Sequence, residues 1–190
     1  MLALLSLCAQ ATSLAALDLA QLTDAADTIA RGTVAEVWTE LDAGGQVWTH
    51  AQVAVDSVFK GADTALLVVS QPGGQWGDRV THVSGTARFS AGEDLYLFAD
   101  HLDSGRTVLV GMFQGKLNTQ MDPYRQQRIV VRFPVSAGTP FDHRFIPLPP
   151  VDERVSVADF EAELVEQVTN GWDGRSVPGV SDAHLARINR

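Results

Sequence analysis

TVAEVWTEL-DAGG-QVWTHAQVAVDSVF, residues Thr33 to Phe59, reads as two long strands around a tight turn. Thr33 to Leu41 and Gln46 to Phe59 alternate apolar and polar side chains with period two, the mark of a half-buried strand. Between them Asp42-Ala43-Gly44-Gly45 carries two glycines able to take the positive φ that a tight hairpin needs. In the second strand Ala51, Val53, Val55 and Phe59 are expected on one face as core. His50, Gln52 and Asp56 are expected on the other, facing solvent or a ligand. Trp38 and Trp48 flank the turn, where they can pair across the strands.

The same signal recurs on both sides of this hairpin. Ala65 to Ser70, Arg79 to Phe89, Asp94 to Ala99, Thr107 to Phe113 and Gln127 to Phe133 are short runs bounded by Gly, Pro, Asp or Ser. No helical pattern interrupts them, so the expected fold is mainly β: an antiparallel OB-like barrel or sandwich of about six strands. One helix should follow. Ser156 is its N-cap with Asp159 three residues on, and Val157, Phe160, Leu164 and Val168 form a stripe at helical spacing that packs on the barrel. Leu17 to Asp27 also has helical composition, with Leu19 and Leu22 on its apolar side, and Ser181 is read as capping a last short helix through Ile188.

Residues 1–16, MLALLSLCAQATSLAA, are uncharged and end in small residues including Ser13-Leu14-Ala15, the pattern of a secretory signal peptide. The expected organisation is therefore a leader over 1–16, a β-barrel domain over 17–146, and a Pro-rich connection with a helical segment over 147–190. A secreted or periplasmic location follows from the leader, and no membrane insertion of the mature chain is expected. Cys8 is the single cysteine and would leave with the leader, which excludes a disulfide framework and a cysteine zinc site from the mature chain. With 14 basic and 23 acidic residues the net charge is -9, which disfavours nucleic acid and anionic membranes as partners. Arg125, Arg128 and Arg132 make the one local basic strip, and the exposed face of a strand accounts for it.

Several phrases stand together: Ala26-Asp27 before Gly32-Thr33-Val34, Val58-Phe59-Lys60-Gly61, Gly92-Glu93 before Leu95-Tyr96-Leu97-Phe98, and Gln114-Gly115-Lys116. The whole resembles uncharacterised secreted bacterial β-barrel proteins and, more distantly, netrin/TIMP-like modules built on an OB-type barrel. The resemblance implies a barrel, an extracytoplasmic home and a protease among the partners to consider. Inhibitors of that wider group chelate a catalytic zinc through an amino-terminal cysteine. Cleavage near Ala16 or Leu17 leaves none here, so that mechanism does not carry over.

Chemistry-bearing residues are sparse. The five histidines lack the close pairing of a metal site, and neither a metal nor a cofactor is expected. His82 and Ser84 share one side if they lie in a strand, and Asp100-His101 sits by a turn; these four make the alternative reading, a hydrolase with a dispersed site. Glu36 and Glu40 share a side of the first strand as solubility charges. The most distinctive loop is Gln71-Pro72-Gly73-Gly74-Gln75-Trp76-Gly77-Asp78, which sets an aromatic among glycines. The expected function is a non-catalytic binding module that takes a protein or glycan through Trp38, Trp48, Gly73, Gly74, Trp76 and Asp78.

Overall fold

The computed structural model describes residues 16–132 and 153–171. Helix α1 (Leu19–Ala25) leads into two 14-residue strands, β1 (Thr28–Leu41) and β2 (Val47–Lys60), followed by β3 (Leu66–Pro72). A small ribbon, β4 (Gly74–Trp76) and β5 (Arg79–Thr81), precedes β6 (Asp94–His101) and β7 (Thr107–Leu109). After a 3-10 turn at Met112–Gly115 come β8 (Lys116–Asp122), β9 (Gln127–Arg132), β10 (Glu153–Ser156) and helix α2 (Val157–Asn170). The fold is mainly β and antiparallel, with strand order β10-β9-β8-β6-β1-β2-β3 and β7 on β6. Among the described residues β3 returns against β7 without hydrogen-bonding to it, so the sheet curls toward a barrel and stays open.

Both faces of the sheet are buried at β6. Leu95, Leu97 and Ala99 of β6 meet Ala51, Val53 and Val69 in one core, and Tyr96 and Phe98 meet Leu22, Phe160 and Leu164 of the helices in the other. The predicted stripe of α2 lies in that second core, and the Ser156 cap forms: Asp159 N–H donates to Ser156 Oγ at 3.1 Å. The Ser156 hydroxyl donates back to Asp159 Oδ2 at 2.6 Å. The Arg31 guanidinium joins Asp94 and Glu161, each at 3.3 Å, and the Tyr96 hydroxyl donates to Glu161 at 2.6 Å. α2 is thereby tied to β1 and β6 by polar as well as apolar contact.

Three register shifts in the β1–β2 pair bend the hairpin, as bulges do. One of them corrects the expected pattern. Ile29 pairs with Lys60 and Ala30 with Val58, which leaves Phe59 as the extra residue and turns its ring to the helix side, 5.9 Å from Tyr96. His50, expected at solvent or ligand, is 7% exposed. The strand expected over Arg79 to Phe89 stops at Thr81, because Thr86 folds back on the Val83 carbonyl and Gly85 takes φ +85°. Strand β8 adds to the expected set: Asn118, Thr119 and Gln120 hide its periodicity in the sequence.

The two lysines of the chain both serve as ties. Lys60 Nζ donates to the Thr23 and Asp24 carbonyls at the end of α1, at 2.7 and 3.1 Å. Lys116 Nζ holds Glu93 at 2.7 Å, the Arg88 carbonyl, and the face of Phe89 at 4.9 Å. Asp142-His143, the Pro147–Pro150 cluster, the Ser181 helix and residues 1–15 lie outside the described residues.

Candidate functional site

The β1–β2 connection runs from Asp42 to Gln46, and Asp42 organises it. Gln46 N–H donates to Oδ1 and Trp48 Nε1–H to Oδ2, both at 2.9 Å. These donors, the Gln46 amide first, hold the Asp42 carboxyl below its ordinary value, with Gly44 N–H and Arg106 adding to the effect. Arg106 comes from the β6–β7 turn. Its guanidinium lies 4.2 Å from the Trp48 ring centroid, 3.8 Å from Asp42 and 3.9 Å from Glu40. Trp38 and Trp48 do not pair with each other as expected. Trp38 faces His50 and Trp48 faces Glu40, and the Trp38 and His50 rings stack at 5.2 Å. One face of each indole is thus already occupied.

The glycine-rich loop forms the β4–β5 ribbon, closed by a turn at Gly77 and Asp78. The close approach that Gly73 and Gly74 permit is used within the chain. A Cβ on Gly74 would stand 2.4 Å from Thr49 Oγ1, and one on Gly73 2.9 Å from the Thr81 carbonyl. The ribbon is latched to the hairpin end: Thr39 donates to the Gln75 carbonyl, Thr49 to the Gly73 carbonyl and Arg79 to the Gly45 carbonyl, each at 2.7 Å. Trp76 stays 47% exposed on it, and Val80 and Leu41 are exposed at the same end.

Among the described residues no hydrogen bond or ion pair joins His82 or Ser84 to Asp100 or His101. His82 and Ser84 are exposed on the segment after β5 rather than in a strand, and among the described residues neither side chain makes a hydrogen bond or ion pair. His101 sits with Nε2 at 2.9 Å from Thr28 Oγ1 and Nδ1 at 2.8 Å from Thr107 Oγ1, so both ring nitrogens are engaged by hydroxyls. Asp100 lies against Asp27, whose carboxylate accepts the His101 backbone N–H at 2.9 Å. That amide, then the hydrogen bond with Asp100, lowers the Asp27 pKa, with His101 and Lys60 assisting. Burial, then Asp27, raises that of Asp100. The stability owed to Asp27 is lost as pH falls through its folded pKa, whereas that owed to protonated Asp100 is lost as pH rises through its own. At neutral pH Asp100 therefore opposes folding. Asp100→Asn is expected to raise the melting temperature by about 1–3 °C at pH 7, with the gain gone near pH 3 where the carboxyl is already protonated. Thermal unfolding at the two pH values measures it, and an equal gain at both would contradict the carboxyl pairing.

A constellation absent from the sequence reading crosses three strands. Ser70 Oγ lies 2.9 Å from His50 Nδ1, and Glu40 Oε1 lies 3.4 Å from Nε2. Residues 10 and 20 positions from His50 meet there because β1, β2 and β3 are consecutive neighbours in the sheet. Ser70 and His50 are 6% and 7% exposed and form a buried polar pair, whereas the Glu40 side chain is 47% exposed and leaves His50 Nε2 without a hydrogen bond, so the row has no open hydroxyl to act as a nucleophile. Among the described residues no three of His, Cys, Asp and Glu gather to hold a metal ion, and no helix is long and apolar enough to cross a membrane. No protein-family model and no curated protein matches the chain.

Proposed function

We propose that this protein is a secreted or periplasmic, non-catalytic binding module whose contact surface is the hairpin end carrying Trp76. One observation carries the reading: a half-exposed tryptophan on a ribbon fixed to its neighbours by three hydrogen bonds. Binding hot spots favour tryptophan and arginine, and a rigid aromatic loses little conformational entropy when a partner covers it. Val80, Leu41 and the exposed Asp78 supply an apolar and polar rim. A folded protein or a glycan fits this surface. The net charge of -9 argues against nucleic acid, and Arg128 of the basic strip is paired with Asp94.

The test uses the chain as bait against the extracytoplasmic proteins of its source and against an oligosaccharide panel. A saturable ligand is expected whose affinity falls at least about tenfold on Trp76→Ala, with the melting temperature unchanged. Full retention of that ligand by the variant removes the ribbon from the reading.

A further inference from the structure

We infer that the mature chain begins upstream of Leu17, because the fold receives Leu17 as a peptide amide and not as a terminal ammonium. Leu17 is 3% exposed, and its N–H donates to Gln114 Oε1 at 2.8 Å. Gln114 is itself buried in the 3-10 turn, and Gly111 beside it has φ +60° and no room for a Cβ, which would stand 2.7 Å from Leu17 Cδ1. The seat is closed on the turn side.

An amide brings one donor to this seat. A chain that starts at Leu17 brings a charged amine with three, at a residue with almost no access to water. The nearest carboxylate in sequence, Asp18, is engaged in the capping box of α1, where it accepts the Gln21 N–H at 2.8 Å. A leader ending at residue 16 therefore conflicts with the fold it releases. Ala16 is half-buried, so an amine there has a route to solvent. Of two small-x-small triplets upstream of it, Ser13-Leu14-Ala15 leaves the amine on Ala16, one residue from the seat, whereas cleavage after Ala9-Gln10-Ala11 makes Thr12 the first residue. The peptide bond hydrolysed is Ala11–Thr12, with water adding a carboxylate to the leader and an amine to the product. The inference rests on the extracytoplasmic reading above.

Two measurements separate it from that reading. The full chain is exported with a carboxy-terminal tag, and the intact mass of the exported product is measured. A start at Thr12 is expected, a start at Ala16 also keeps Leu17 as an amide and supports the inference, and a start at Leu17 overturns it. Second, forms beginning at Thr12, at Leu17 and at N-acetylated Leu17 are compared with the full chain by thermal unfolding. The free Leu17 form is expected to melt about 5–10 °C lower at pH 6, with the gap narrowing by about pH 9 as the amine loses its proton. Acetylation should close the gap at both pH values, and it keeps the comparison decisive if the free Leu17 form does not fold. Equal melting of all forms overturns the inference whatever the compartment. An uncut chain retained in the cytoplasm defeats the proposed location, while the thermal series still decides how Leu17 is seated.

Discussion

Phe160→Ala is expected to destabilise the protein by about 3–5 kcal/mol. Phe160 is fully buried, and its ring meets Tyr96 edge-on at 4.8 Å. Removing it opens a cavity between α2 and β6 that the surroundings fill poorly, because Tyr96 is pinned by its hydroxyl to Glu161 and Leu164 is fixed one turn on. The melting temperature should fall by about 10 °C or more. The neighbouring Val165→Ala, on the exposed face of the same helix, should stay within about 0.5 kcal/mol and serves as the control. Urea unfolding followed by circular dichroism measures both. Similar small losses in the two variants would mean that α2 is an appendage rather than a wall of the core.

Gly32→Ala should cost about 3 kcal/mol or more. The added Cβ would stand 2.2 Å from the Ala54 carbonyl oxygen and 2.8 Å from Val53 Cγ1. The nearer obstacle is backbone, so no rotamer change relieves it. Gly32 also sits at one of the register shifts that bend β1 over β2, and opposite Leu95 in the centre of the sheet. Relief therefore requires moving one strand away from another in the middle of both cores. Thermal unfolding within about 1 °C of the parent protein would show that the bend has slack that the packing does not reveal.

The fold was largely legible, since alternation and turn residues located β1, β2, β3, β6, β7 and β9, and the cap and stripe located α2. What escaped has physical causes. β8 presents polar side chains between its buried positions, so its periodicity is faint. The hairpin turn is one residue longer than Asp42–Gly45: Leu41 pairs with Val47, and Gln46 closes the turn, its N–H on the Asp42 side chain and its carbonyl accepting the Asp42 N–H at 2.9 Å. That single residue sets the register and with it the neighbours of Trp38 and Trp48, since a one-residue slip moves every side chain to the opposite face. The candidate site was legible in outline only. Trp76 and its glycines were visible as an unusual loop, but the threonines and Arg79 that latch it, and Arg106 on Trp48, come from pairings and turns that sequence spacing does not encode. The Glu40–His50–Ser70 row needed three strands in register before it existed.

The lysine ties have a practical side for anyone handling the molecule. Amine-directed dyes, biotin reagents and cross-linkers depend on a free, deprotonated nucleophile, and here one ε-ammonium is bound by helix carbonyls and the other by a carboxylate and an aromatic face. Coupling at either lysine has to break these ties first, so both sites are expected to label more slowly than a free lysine side chain. Partner mapping by covalent capture calls instead for reagents aimed at carboxylates, which the chain carries in excess.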